Sequence, residues 1–145
     1  MDKLEYIPGD LVKFATNIYT IVNFEENFLH SKVCYALVST NSTKTALVAD
    51  RDILPIPITL EILEKNGWKK EVMSRGVKNS HLVYTKSDIE EYGYFPIYIE
   101  KGIGKEFDVY PFTDNNVCTQ IAYIKYVHQL QHLLFGLGLN SEMEV

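Results

Sequence analysis

The stretch "PIPITLEILEKNGW", residues 55–68, is where the chain changes its period. Pro55 and Pro57 have no N–H to donate to a ladder, so the segment is extended and lies at a sheet edge or between units. Thr59 fits an N-cap, because its hydroxyl can accept from the free N–H groups of a first helical turn, and Glu61 stands where the helix dipole favours negative charge. The predicted helix is short. Gly67 falls where a left-handed C-terminal residue is required, and Trp68 is placed to fold back onto Leu63 in a Schellman-type end.

On the N-terminal side the hydrophobic pattern has the two-residue period of strands: "DLVKFA", "NIYTIVNF", "KVCYALVS" and "TALVAD", separated by polar or turn-forming residues. Within the second run, Ile18, Thr20 and Val22 are predicted to share one face and Tyr19, Ile21 and Asn23 the other. "PGD" at Pro8 to Asp10 predicts a turn into the first strand, with Pro fixing φ and Gly free to take a positive one. Short strands with open edges invite aggregation unless they pair or close up. With a fifth strand at "ILPIPI", the expectation for residues 1–57 is a small SH3-like β-barrel.

On the C-terminal side the alternation returns in "WKKEVMS", "HLVYTK", "YFPIYIE" and "EFDVYPF", followed by "TQIAYI" running into a last helix. "KGIGK" joins two of these runs closely enough for a hairpin. The predicted class is therefore α+β. An N-terminal barrel is followed over residues 58–145 by a short helix, an antiparallel β-meander and a C-terminal amphipathic helix that covers the sheet.

Composition narrows the function. A chain of 145 residues with 46% hydrophobic residues can bury a core in one domain or two small ones without disulfides or metal. Cys34 and Cys118 sit among apolar residues with no CxxC pair and are expected to be buried free thiols. No apolar run reaches the length of a membrane span and "MDKLEYIPGD" lacks a secretion pattern, so a soluble, cytoplasmic protein with no membrane partner is expected. A net charge of −5 gives no overall footprint for nucleic acid.

The candidate sites are few. In "YVHQLQH", residues 126–132, His128 and His132 stand four apart, a spacing that lets two imidazoles on a helix share a zinc ion. On a helical wheel Val127, Leu130, Leu133, Leu134 and Leu137, with Tyr126, take one side and the histidines the other, so the imidazoles are expected to face away from the core. The zincin pattern needs a Glu after the first His, and Gln129 cannot take a proton there; a third ligand would have to come from His30, His81 or a distant carboxylate. The polar strip of His128, Gln129, Gln131 and His132 is accordingly read as a solvated helix face rather than a metal centre, and as the candidate surface for a protein partner. A metal-dependent enzyme using His128 and His132 is the remote alternative, and no metal or other cofactor is expected.

Lys65, Lys69, Lys70, Arg75 and Lys78, opposed only by Glu71, make a local basic patch, and Tyr94 and Tyr98 alternate with Phe95, Ile97 and Ile99. Exposed rings beside basic residues are a pattern for single-stranded nucleic acid, which makes Lys69, Lys70, Arg75 and Lys78 the nucleic-acid-binding candidates. "EKGIGKE" is not a phosphate loop: Ile99 stands where the motif's first glycine belongs and Glu106 where its Ser or Thr belongs. No GxSxG, Cys–His pair or dinucleotide fingerprint is present, and a non-enzymatic role is expected.

Two strings, "PIPITLEILEKNGW" at 55–68 and "YIKYVHQLQHLLFGLGL" at 123–139, resemble a family of small uncharacterised proteins encoded by gut Bacteroidales and their prophages and phages. In that family a PIPLT-type entry, an ILxKNGF-type helix end and a YVHQLQ helix recur in this order; Ile58 and Trp68 depart from it conservatively. The resemblance implies a phage-related setting, a cytoplasmic product and an accessory, protein-binding role with a partner of phage or host origin.

Overall fold

A computed structural model describes residues 5–27, 32–39, 41–74, 80–86, 97–102, 104–111 and 121–145. The fold is α+β; among the described residues it has mostly antiparallel strands in two five-stranded sheets and two helices. The chain forms two compact units. One holds Met1–Pro57 with Tyr126–Met143, the other Ile58–Lys125 with Glu144–Val145.

The first unit is a sheet of β1 (Leu11–Phe14), β2 (Asn17–Asn27), β3 (Lys32–Ser39), β4 (Thr45–Ala49) and β5 (Ile53–Pro55), with a single 3-10 turn at Asp50–Asp52 ahead of β5. The order is β4-β3-β2-β1-β5. Among the described residues no ladder joins β4 to β5, so the sheet is not hydrogen-bonded into a closed barrel. Its core is Tyr6, Val12, Ile21, Tyr35, Leu37, Val48 and Ile53, all buried. The alternation expected along β2 fails at one point. The register slips between Ile21, opposite Leu37, and Asn23, opposite Ala36, so a bulge at Val22 puts Asn23 on the face away from Ile21. The bulge leaves Val22 44% exposed.

The final helix, α2 (Val127–Gly136), groups with this first unit, whereas the sequence pattern assigns it to the unit of residues 58–145. Its entry is tied to the segment after β5: Val127 N–H donates to Ile56 O at 2.9 Å, and Tyr126 bridges Pro57. Those two main-chain links bring the helix to the N-terminal sheet from the start, a long-range pairing that no local pattern reveals.

The second unit runs α1 (Leu60–Lys65), then β6 (Lys69–Ser74), β7 (Ser80–Thr85), β8 (Ile97–Lys101), β9 (Phe107–Pro111) and β10 (Ala122–Ile124) in a meander ordered β10-β9-β8-β7-β6. Thr59 Oγ1 accepts from Ile62 N–H at 3.2 Å and so caps α1. The helix ends as a Schellman motif: Gly67, at φ 84°, donates to Glu64 O at 3.1 Å and Trp68 N–H to Leu63 O at 3.0 Å. Leu63 and Trp68 are both buried, which gives the motif its apolar contact. The "KGIGK" segment closes the β8–β9 hairpin, with Gly102 N–H bonded to Glu106 O at 3.0 Å.

One turn is strained. Phe14 pairs with Asn17, leaving Ala15 and Thr16 as a two-residue hairpin loop, and Ala15 has φ 52°. A positive φ at the first central position belongs to a type II′ turn, where glycine is favoured because a Cβ crowds the neighbouring carbonyl. Ala15→Gly is therefore expected to stabilise the protein by roughly 0.5–1 kcal/mol, strain relief outweighing the added freedom of the unfolded chain. An unchanged or lowered denaturation midpoint would count against the strain.

Candidate functional site

A dense polar cluster lies in the first unit, where α2 meets the turn before β1. Ile7 to Asp10 form a type II β-turn: Asp10 N–H donates to Ile7 O at 3.1 Å, Pro8 occupies the second position and Gly9 the third, at φ 98°. Two side chains of α2 take hold of this turn. Gln131 Oε1 accepts from Leu11 N–H at 3.0 Å, while its Nε2 donates to Gly9 O at 3.0 Å and Ser141 O at 3.2 Å. His132 Nε2 lies 2.7 Å from Asp10 Oδ2, which also accepts from Ile7 N–H at 2.8 Å.

Asp10 is only 2% exposed, and burial raises its pKa above the ordinary carboxylate value, opposed by the Ile7 and His132 contacts. His128 is 3% exposed, and its Nδ1 has no hydrogen-bond partner. Its ring meets Tyr6 edge-on at 4.9 Å, stacks on Tyr126 at 5.8 Å and stands 5.6 Å from the His132 ring. Burial first, and the neighbouring His132 second, hold the His128 imidazole down to about 4. Tyr6, packed edge-on against Tyr35, is itself pushed up by burial and by nearby Glu5 and Asp50.

This overturns the expected outward face of α2. His128 and Gln131 are buried with Val127, Leu130 and Leu134, while Phe135 is 68% exposed and Leu137 is exposed too. The helix is turned toward its histidine side, where Gln131 serves the buried N–H of Leu11 and the carbonyl of Gly9. Of the four residues read as a partner surface, His132 and Gln129 are half-buried and the other two are enclosed. Gln129 bonds its own helix start, its Oε1 accepting from Tyr126 N–H at 3.2 Å.

A shared metal fits poorly. Two atoms on one zinc ion stand roughly 3 Å or more apart, since each bond is about 2 Å long at near-tetrahedral angles, and His132 and Asp10 touch at 2.7 Å. Among the described residues no group of three His, Cys, Asp or Glu is arranged to hold a metal ion. His30 and the side chain of His81 lie outside the described residues.

In the second unit, Tyr98 is 1% exposed and stacks on Tyr110 at 5.2 Å, which corrects the expectation that it presents a free ring. Lys69 and Lys70 are exposed neighbours on β6, so they project to opposite sides of the sheet instead of forming one patch. Arg75, Lys78, Tyr94 and Cys118 lie outside the described residues, and Cys34 is a half-buried free thiol rather than a core one. An open groove of about 480 Å³ at the β8–β9 hairpin, unmarked by any motif, is lined by Glu100, Lys101, Glu106, Asp108 and Tyr123. Glu106 pairs with Lys125 at 2.7 Å; burial, then Glu100 and Glu106, raise the Asp108 carboxyl.

Among the described residues no strand pairs with the outer edge of β6, the other notable surface. β6 is the terminal strand, Val72 lies directly opposite Leu82, and they are 70% and 42% exposed. No helix among the described residues is long and apolar enough to cross a membrane. Comparison with protein-family models, with curated proteins and with solved structures found no match.

Two outcomes follow from the α2 clasp. Gln131→Leu strands the buried Leu11 N–H without a partner and is expected to destabilise the first unit by roughly 1–3 kcal/mol in chemical denaturation; a loss below about 0.5 kcal/mol would show that water replaces the amide at little cost. For His128, the folded pKa of about 4 lies below the ordinary 6.5, so the folded chain disfavours the proton. Its contribution is fully present above pH 6.5 and is lost as pH falls toward 4, amounting to roughly 3 kcal/mol. Asp10, raised in the fold, acts in the opposite sense, since its contribution is present below 3.8 and fades as pH rises. His128→Phe should flatten the decline in stability between pH 6.5 and 4, and a slope equal to wild type would rule out His128 as its source.

Proposed function

We propose that the chain is a non-enzymatic, protein-binding accessory module whose partner adds an extended segment to the edge of β6. The observation that carries this reading is the exposed Val72–Leu82 pair at a strand edge to which no strand pairs among the described residues. Edge strands expose a row of N–H and C=O groups that bind a further strand, and alternate side chains supply selectivity. Lys70 lies on the Val72 side of the strand and is exposed, so an apolar residue flanked by acidic ones is the complementary sequence. With His128 and Gln131 enclosed, the proposed surface is the segment after Gly67 rather than the polar strip of α2. The family resemblance points to a phage or host protein as the source of that segment.

We also read the first unit as an SH3-like barrel. The order β4-β3-β2-β1-β5 and the 3-10 turn placed between β4 and β5 support this reading, in which the short β5 returns to pair with β1.

Displayed libraries of extended acidic–apolar peptides provide the test. Selected peptides should move the amide resonances of Lys69–Ser74, and Val72→Asp should weaken them at least about tenfold, since it removes apolar contact and adds a like charge. Val72 is 70% exposed, so the denaturation midpoint should stay near wild type. Peptides that bind the variant equally, or a library that yields none, would overturn the proposal.

A further inference from the structure

The Schellman end of α1 holds a side chain with a second occupation. Asn66 Nδ2 donates to Ile62 O and to Glu144 O, each at 2.7 Å, while its Oδ1 accepts from Glu144 N–H at 2.8 Å. One side-chain amide thus grips both main-chain groups of a single residue. Beside it, Lys65 Nζ reaches Val145 O at 3.1 Å. The tail residues Glu144–Val145 are thereby fastened within the second unit.

Asn66 is also the one asparagine in the chain followed by glycine. A glycine in that position leaves its main-chain nitrogen unshielded by any side chain, and this makes the pair chemically labile. The nitrogen of Gly67 can attack Asn66 Cγ. The bond from Cγ to Nδ2 then breaks, and ammonia leaves with the proton given up by Gly67. Water opens the resulting cyclic imide to aspartate or isoaspartate. No further reactant is needed.

We propose that Asn66 is a site of spontaneous deamidation held in check by the clasp on Glu144, so that release of the tail exposes it to this conversion. The reacting geometry requires the amide to swing toward Gly67 N, and that rotation breaks the bonds to Ile62 and Glu144 together. Gly67 N–H is meanwhile engaged by Glu64 O at 3.1 Å, with the residue pinned at φ 84°. The change is one-way in its effect. An aspartate at 66 loses both donated bonds and turns a carboxylate toward the carbonyl oxygens of Ile62 and Glu144, so the tail does not re-dock.

The inference is independent of any partner for β6. Its test is peptide mapping by mass spectrometry of the full chain aged in warm, mildly alkaline buffer, reading amide-to-acid conversion at Asn66. Glu144→Pro deletes the N–H that Asn66 Oδ1 accepts, and conversion should accelerate about fivefold, the ratio that one hydrogen bond of ordinary strength supports. Lys65→Ala, which leaves the Asn66 bonds in place, should accelerate it less. Asn41, exposed and followed by Ser42, is the internal reference. Faster conversion at Asn66 alone supports the clasp. Equal rates in wild type and Glu144→Pro, a parallel gain at Asn41, or no conversion at Asn66 in any variant would overturn it.

Discussion

The first unit depends on a single side-chain amide. Gln131 satisfies Leu11 N–H and Gly9 O at once, groups that flank the entry to β1 and have no strand partner there. Leu11 is buried, and an unpaired buried main-chain group costs about as much as a lost hydrogen bond, so the entry to β1 and the helix that serves it stabilise each other. The Asp10–His132 contact works in the same direction. A carboxyl that is 2% exposed is unfavourable as an ion unless bonded, and Ile7 N–H and the imidazole both supply that bonding. A buried acid aligned on a histidine thus joins the turn before β1 to a helix more than a hundred residues later.

Local chemistry was legible where one residue decides the outcome. Thr59, Gly67 and Trp68 set both ends of α1 because each answers a requirement of the helix terminus itself, and Gly9 does the same for the turn. The end of α2 obeys the same rule: Gly138 has φ 72° and donates to Phe135 O, and Leu139 N–H reaches Leu134 O at 2.8 Å. The period-two runs located the strands for the same reason, since alternation is a property of each segment alone.

The histidine face and the β2 faces were not legible, and the causes differ. A wheel assumes that polar side chains mark solvent, and that fails where polar groups of another segment must be met inside. His128, with an unpartnered Nδ1 among Tyr6, Tyr126 and His132, is an extreme instance. A signal was present in Gln131, flanked by apolar neighbours on a helix and preceded far upstream by a turn whose carbonyl is unclaimed, but only coordinates join the two. In β2 a bulge inserts one residue and reverses every face after it, so Val22 spoils a pattern that holds through Ile21.

Charge and exposure then separate the possible roles of β6. A strand sends adjacent side chains to opposite faces, so Lys69 and Lys70 cannot add their charges on one surface, and a run of basic letters overstates the field that a phosphate backbone would meet. The same geometry strengthens a strand-addition reading, because Lys70 and Val72 fall on one side, with Leu82 completing the apolar contact across the ladder. Edges that proteins mean to silence are commonly covered, shortened or charged on both faces. Here the six-residue edge carries charge on both faces, Lys69 and Glu71 on one and Lys70 on the other, which limits indiscriminate pairing, while a valine kept 70% exposed leaves an apolar contact for a strand of matching sequence.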